Sequence, residues 1–326
     1  MKNSLRKIVF VAAALLSFAV STEAKRPVWV IAHGANWKYS IEEALKQGAN
    51  GVEVDVREGT TFWNWFTWHS TSGSHWCLGH DTYWPEEKCD CGDDAAVSLK
   101  WVLTDNVTNG YKTKINDDPR FCVLWLDVKD EKYIRDLVQY VHKYTVKGQT
   151  NYTIIYNVYE DIEFDVLRWL GANLWSNECL NWANKTIGEL QLHIKETIDM
   201  EIFSQFNPMF PKDYPQIHAN NHFYTMGIFN VDQPQNTTST KYNNLMEAKD
   251  KRSFCRRAGI WSNVTANNAE AWINAGMDVV LTYYSHGYRP SCECKKSALP
   301  DLVTRINSPG FALNNSVYIA TRQDKF

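Results

Sequence analysis

Continuous apolar runs and amphipathic stretches alternate along the first part of the chain. Residues 28–32 (Val-Trp-Val-Ile-Ala) are apolar without interruption, which predicts a strand buried on both faces, as in a parallel sheet. Residues 40–47 begin with Ser40 and carry acidic residues in the first turn, and Gly48 follows them as a helix stop. They therefore predict a short helix. Residues 51–56 predict a second strand. The order is strand, helix, strand.

The same order returns further along the chain. Residues 122–128 predict a strand, and residues 131–146 predict a helix with one apolar stripe. Another predicted strand spans 154–158, and the helix after it spans 161–170.

The C-terminal half continues this pattern less clearly. Strands are predicted at 223–231, 260–264 and 279–283, whereas residues 171–221 show no clear period and contain several prolines. About eight strand–helix units in roughly 300 residues predict an α/β fold with a TIM-type (β/α)8 barrel and long βα loops. No linker divides the chain, so we expect one catalytic domain over residues 25–326.

The N-terminal segment has a different composition. Residues 1–24 combine basic residues at positions 2, 6 and 7, an apolar run at 8–20 and a small residue, Ala24, before the expected cleavage. They predict a signal peptide, and therefore a secreted, extracellular protein. The apolar run is shorter than the roughly 20 residues of a membrane-spanning helix, so no transmembrane anchor is expected.

Cysteines, sequons and charge add to this picture. Eight cysteines indicate disulfides, which we favour over zinc because the C-x-C pairs at 89–91 and 292–294 lack the usual two-residue spacing. Six N-x-S/T sequons, at positions 106, 151, 184, 236, 263 and 314, predict a glycoprotein. The net charge of −3 offers no basic surface, so we expect no nucleic-acid partner. A monomer is favoured.

Chemically active residues lie at the ends of the predicted strands. His33 follows the first strand, Glu53 and Asp55 end the second, and Asp127 and Lys129 end the strand at 122–128. Side chains two residues apart point to the same face of a strand, so both pairs can enter the barrel lumen. Active sites of TIM barrels lie at this end of the strands.

Three carboxylates in one place repel each other unless a cation lies among them. Oxygen ligands with room for water suit Mg²⁺, with Ca²⁺ as the alternative. Pairing of these acids with Lys or Arg at the barrel rim is the other interpretation.

Five sets of residues resemble one family. They are Ile-Ala-His at 31–33, Gly-Ala-Asn-Gly-Val-Glu-Val-Asp at 48–55, Leu-Trp-Leu-Asp-Val-Lys at 124–129, the pair Ile-Trp-Ser at 260–262 with Ala-Gly-Met-Asp-Val-Val-Leu-Thr at 275–282, and Ile-Ala-Thr-Arg-Gln-Asp at 319–324. This pattern is similar to the sphingomyelinase D and phospholipase D toxins of spider venoms and bacteria, within the glycerophosphodiester phosphodiesterase-like barrels. In those toxins the terminal segment plugs the barrel base.

The resemblance implies roles for individual residues. Glu53, Asp55 and Asp127 would be the Mg²⁺ ligands, and Lys129 and Trp261 would contact the substrate phosphate and headgroup. His33 would be one of two catalytic histidines. His80 is our choice for the second, because it precedes a Cys-Asp-Cys sequence as in the family; His69 and His75 are alternatives.

The implied activity is cleavage of the headgroup from sphingomyelin, lysophospholipids or both at a membrane surface. Attack by the lipid's own hydroxyl would give a cyclic phosphate, with His33 as base and His80 as acid, or the reverse. A loop with five aromatics at 62–68 would touch the membrane or be buried under its own fold.

Two alternative functions stay open. A glycerophosphodiester phosphodiesterase would have Arg after the first histidine, where this chain has Gly34. A non-enzymatic, secreted lipid-binding barrel would not need the intact set of acids, His33 and Lys129.

Overall fold

A computed structural model describes about half of the chain. The described residues are 25–36, 40–59, 75–78, 99–104, 112–129, 131–147, 150–158, 164–183, 222–227, 242–243, 246, 249, 257–261, 264–283, 298–314 and 316–324.

Parallel strands form a closed barrel, which confirms the predicted fold class. The strands are β1 Arg26–His33, β2 Gly51–Gly59, β3 His75–Leu78, β4 Val123–Val128, β5 Thr153–Val158, β6 Glu178–Ala183, β7 His222–Gly227, β8 Ala258–Trp261, β9 Val279–Tyr283 and β10 Val317–Ile319. The sheet order is β10-β1-β9-β8-β7-β6-β5-β4-β2-β3, and a further β1–β2 pairing closes a ring of eight parallel strands. β3 pairs antiparallel with β2 outside this ring.

Helices follow several of the strands. They are α1 Ser40–Lys46, α2 Leu99–Leu103, α3 Lys112–Asp117, α4 Ile134–Tyr144, α5 Phe164–Asn173, α6 Ala269–Asn274, α7 Leu299–Asn307 and α8 Pro309–Asn314, with a 3₁₀ turn at Glu131–Tyr133 before α4. Among the described residues, no helix is both long and apolar enough to cross a membrane.

Side chains alternate between the two faces of the barrel wall. Val28 and Val30 belong to the outer cluster between the strands and the helices. Trp29 and Ile31 belong to an interior cluster inside the barrel, which also contains Cys122, Val123, Trp125, Ile155, Cys179, Val279, Leu281 and Ala320. Strands buried on both faces explain why the sequence shows continuous apolar runs rather than alternation.

The C-terminal segment closes the base of the barrel, as the resemblance implied. β10 pairs in parallel with the start of β1. Ala320 packs into the interior cluster, and its carbonyl accepts a 2.8 Å hydrogen bond from the Asn50 side chain. The Arg322 guanidinium donates to three backbone carbonyls, those of Ile115, Asn116 and Phe121. The segment therefore joins β1, β2 and the chain before β4.

Some predicted boundaries were wrong. β8 spans 258–261 rather than 260–264, because Val264 is buried after the chain has left the strand and hydrogen-bonds back to Leu281. β7 begins at 222, one residue earlier than predicted, and the rest of the predicted strand, 228–231, lies outside the described residues. β3, β6, α2 and α3 had no predicted counterpart.

Candidate active site

Residues from β1, β2 and β4 converge at the mouth of the barrel. The Cα atoms of Asp55 and Asp127 are register partners on neighbouring strands. Glu53, Asp55 and Asp127 are 2%, 5% and 3% exposed, and each offers an oxygen within 4.8 Å of the other two. The structure thus brings together the three carboxylates that the sequence predicted.

Glu53 has one satisfied and one unsatisfied oxygen. Its Oε2 atom accepts a 2.6 Å hydrogen bond from the backbone N–H of Gly34, whose φ of +74° is a conformation that favours glycine. Its Oε1 atom is buried and accepts no hydrogen bond from the described residues. A buried carboxylate oxygen without a partner is energetically costly unless a cation or another donor binds it.

Asp55 and Asp127 are held by amides and by one ammonium group. The Asn36 side chain donates to Asp55 Oδ2 at 2.6 Å and accepts from the Asp55 backbone N–H at 2.7 Å. The Asn157 side chain donates to Asp127 Oδ1 at 2.6 Å. Lys129 Nζ lies 2.7 Å from Asp55 Oδ1 and 2.6 Å from Asp127 Oδ2, so the ammonium bridges the two carboxylates.

Burial and charge shift the pKa of each group. Burial, with repulsion from Asp55 and Asp127, raises the pKa of Glu53 well above its usual value. Burial also raises the pKa of Asp127 against the effect of Lys129. At Asp55, Lys129 and Asn36 outweigh burial and lower the pKa. Burial disfavours the Lys129 ammonium, but Asp127 and Asp55 outweigh it and raise that pKa.

Among the described residues, three carboxylates face one ammonium group, which leaves an excess of buried negative charge. The all-oxygen donor set and the unsatisfied Glu53 Oε1 fit a divalent cation such as Mg²⁺. The cluster can therefore hold a divalent metal. The alternative, pairing with a basic residue, also applies in part, because Lys129 contacts both aspartates.

His33 lies next to this cluster at the end of β1. Its Nε2 atom is 4.0 Å from Glu53 Oε2, and 34% of its side chain is exposed. An imidazole that is partly open at a barrel mouth can accept or give a proton to a bound molecule. Trp261, at the end of β8, is half-buried and packs against the interior cluster.

Several predicted residues lie outside the described part of the chain. These include His69, His80, the aromatic loop at 62–68, and the C-x-C pairs. His75 lies in β3, but only its backbone is described.

Two cysteines limit the disulfide prediction. Cys122 and Cys179 are buried thiols rather than half-cystines, so the structure does not place all eight cysteines in disulfides.

The sequence analysis missed three buried amides and one buried hydroxyl that support the acids. Asn36, Asn157, Asn181 and Thr225 are all buried, and the last three form a hydrogen-bonded chain with Asp127. Asn157 could have been found by the rule that identified Asp127, because it also stands near the end of an apolar strand, in register with Asp127.

No family model matches the chain. A sphingomyelinase D of Aspergillus flavus is 22% identical over 196 residues, which span 57% of this chain and 57% of the fungal protein. A dermonecrotic toxin of Loxosceles reclusa is 47% identical over 32 residues, 10% of this chain and 91% of that sequence. An Oleispira antarctica phosphodiesterase, solved in complex with the product sn-glycerol-3-phosphate, matches with a TM-score of 0.46 and 13% identity, over 86% of this chain and 97% of the other.

Proposed function

We propose that this chain, which is distantly similar to a sphingomyelinase D and to a dermonecrotic toxin, is a Mg²⁺-dependent phosphodiesterase of the phospholipase D type. Its substrates would be sphingomyelin, lysophospholipids or both, from which it would release the headgroup. The observation that carries the proposal is the buried set of Glu53, Asp55 and Asp127 beside His33. Ca²⁺ is the alternative metal.

A phosphodiester brings negative charge, which the three carboxylates alone would repel. Glu53, Asp55 and Asp127 would hold the cation, which supplies neutralising charge for the phosphate oxygens. Lys129, already fixed between two carboxylates, adds a second positive charge beside them. The mouth thereby becomes able to accept an anionic group.

His33 would move a proton at the reacting phosphate. A hydroxyl of the bound lipid would form the new bond to phosphorus, while the bond from phosphorus to the headgroup oxygen breaks. One imidazole takes the proton of the attacking hydroxyl, and the other protonates the departing alcohol. His80 is the proposed partner of His33, with either assignment of acid and base.

A cyclic phosphate is the product that this arrangement favours. The three acids at the mouth would be engaged by the metal and by Lys129, so none of them would be left to activate water. A hydroxyl within the substrate also has a large effective-concentration advantage over water. Trp261 would offer an aromatic face to a quaternary ammonium headgroup such as choline.

The proposed setting of this reaction is extracellular. The signal-peptide pattern at residues 1–24 and the six sequons support secretion and glycosylation. Protein collected from the medium should begin at Lys25; a mature chain that begins at Met1 would refute secretion through this segment.

Phosphorus NMR of the products tests the reaction. Full-length protein with Mg²⁺ should convert sphingomyelin or a lysophospholipid to a cyclic phosphate. Asp127→Asn should reduce the rate by at least about 100-fold, because one ligand contributes several kcal/mol to metal catalysis. Asp301→Asn, at an exposed site in α7, is the matched control and should retain activity.

Other outcomes would replace the proposal. An open phosphomonoester as the first product would identify water as the nucleophile. Turnover of glycerophosphodiesters without turnover of lipids would indicate a glycerophosphodiester phosphodiesterase. Vesicle binding without turnover of either substrate would indicate a lipid-binding protein.

A further inference from the structure

A continuous row of polar side chains lines one side of the barrel lumen at the level of the metal cluster. Asp55, Asp127, Asn157 and Asn181 are successive register partners on β2, β4, β5 and β6. Asn157 is 3% exposed and Asn181 is fully buried. Four polar residues in register inside a barrel interrupt what is otherwise an apolar interior, which requires a reason beyond packing.

The hydrogen bonds along this row have one direction. Ionised Asp127 can only accept, so Asn157 must turn its NH₂ group towards Asp127 Oδ1, and does so at 2.6 Å. The carbonyl of Asn157 then faces Asn181, which donates through its own NH₂ group. The second N–H of Asn181 donates to Thr225 Oγ1 at 2.8 Å.

The orientation of Asn181 shows what determines this direction. Its Oδ1 atom is buried and accepts no hydrogen bond from the described residues. Rotating the amide by 180° would free the nitrogen but would place two carbonyl oxygens face to face between Asn181 and Asn157. The Asn181 amide is therefore oriented so that its NH₂ group donates to Asn157, although this leaves its own Oδ1 atom without a hydrogen bond from the described residues.

We propose that Asn157 and Asn181 are positioning residues of the metal centre. Together they form a directed hydrogen-bond relay that fixes the Asp127 carboxylate by its Oδ1 atom and leaves Oδ2 turned towards Asp55 and Lys129. Asn157 acts on the carboxylate directly, and Asn181 acts only through Asn157. The inference rests on the proposed divalent-cation site.

The consequence is that Asn181, which contacts none of the three metal-binding carboxylates, influences the affinity of the site for the metal. Without Asn181, the Asn157 amide has no fixed partner for its carbonyl and can present either end to Asp127. Partners that orient a metal ligand typically change metal affinity by about 10- to 100-fold when they are removed. We expect the direct partner, Asn157, to have the larger effect.

Calorimetric titration of full-length protein with Mg²⁺ tests the relay. Asn157→Leu should weaken binding by about 10- to 100-fold, and Asn181→Leu by a smaller factor of about 3 to 10. Asn50→Leu is the matched control, because Asn50 is an equally buried amide with two hydrogen bonds at the opposite end of the lumen. It should lower the melting temperature but leave the Mg²⁺ dissociation constant within about twofold of wild type.

Each outcome decides the matter. Wild-type affinity in Asn157→Leu and Asn181→Leu would overturn the relay while leaving the metal site intact, and so would an equal loss in Asn50→Leu. If wild-type protein shows no saturable Mg²⁺ binding, the metal site fails and the relay fails with it. Should the leucine variants not fold, Asn157→Ser and Asn181→Ser are measured against Asn50→Ser with the same expectations.

Discussion

Removing the charge of Glu53 should stabilise the metal-free protein while abolishing its function. Glu53 is 2% exposed, and its carboxylate faces two aspartates and one ammonium. Glu53→Gln keeps the size of the side chain and an oxygen that can accept from the Gly34 N–H. The substitution therefore isolates the electrostatic cost of the carboxylate.

The magnitude follows from the geometry of the cluster. Ligand oxygens of the three acids lie within 4.8 Å of one another, and at an effective dielectric constant of about 20 two like charges at that distance repel by about 3.5 kcal/mol. Two such repulsions and one comparable attraction to Lys129 leave about 3.5 kcal/mol against ionised Glu53. Partial protonation of Glu53 in the wild type lowers this electrostatic cost, and the glutamine amide of the variant lacks a hydrogen-bond acceptor among the described residues. We therefore expect Glu53→Gln to raise the free energy of unfolding by about 1 to 3 kcal/mol.

The gain should depend on pH and on metal. Because the folded-state pKa of Glu53 lies well above the ordinary 4.5, the wild-type fold loses stability as pH rises from that value through the raised pKa. The advantage of Glu53→Gln should therefore be larger at about pH 8 than at about pH 5. Mg²⁺ should raise the stability of the wild type and have little effect on the variant.

Urea unfolding followed by circular dichroism, with EDTA or with Mg²⁺, measures all of these differences. Glu43→Gln is the control. Glu43 forms a half-exposed ion pair with Lys46 in α1, so the substitution should change the free energy of unfolding by less than about 0.5 kcal/mol. A lower stability of Glu53→Gln than of wild type in EDTA would refute the electrostatic reasoning. An equal response of both proteins to Mg²⁺ would show that Glu53 is not a ligand.

Three further predictions concern positions around the site and at the base. Gly34→Ala should cost about 1 to 2 kcal/mol of unfolding free energy, because Gly34 has a φ of +74°. Gly310→Ala in helix α8, with equally open space and no positive φ, should be neutral or stabilising by up to about 1 kcal/mol. An equal loss of stability in both variants would disprove the strain. Burial raises the pKa of Cys122 to about 12, so iodoacetamide should label this thiol only in denaturant. Mass spectrometry measures the labelling, and a labelled Cys122 in native protein would contradict its burial. Arg322→Ala removes hydrogen bonds to three backbone carbonyls and should destabilise the folded protein by about 2 to 3 kcal/mol, measured by thermal unfolding. Turnover should not change. A loss of turnover in folded protein would mean that the base and the mouth of the barrel are coupled.

The acids of the site were predictable because strand geometry alone places them. Glu53, Asp55 and Asp127 end apolar strands, and parallel strands bring those ends together, so burial and proximity follow without knowledge of distant contacts. The sequence showed only that Gly34 stands where a glycerophosphodiester phosphodiesterase would have Arg. Its role as a backbone donor to Glu53 could not be predicted, because it depends on the path of the chain after β1.

The supporting residues could not be predicted in the same way. β6 reads Glu-Cys-Leu-Asn-Trp-Ala, in which buried Glu178 and Asn181 interrupt the apolar pattern of a strand. Glu178 is satisfied by the His142 side chain, the Tyr156 hydroxyl and the Trp175 backbone N–H. Those partners are brought together only by the fold, so the sequence of β6 alone resembles a loop.

The closure of the barrel also constrains the order in which the chain can fold. β1 has β9 and β10 as partners, so residues 26–33 are paired with residues 279–283 and 317–319. Contacts between such distant parts of a chain form slowly, because a long loop must close before they stabilise anything. During synthesis β1 can pair with β2 early, but its other edge stays unpaired until β9 has emerged. The ring of eight strands therefore closes only after residues 279–283 have been made, and β10 is added to β1 after that.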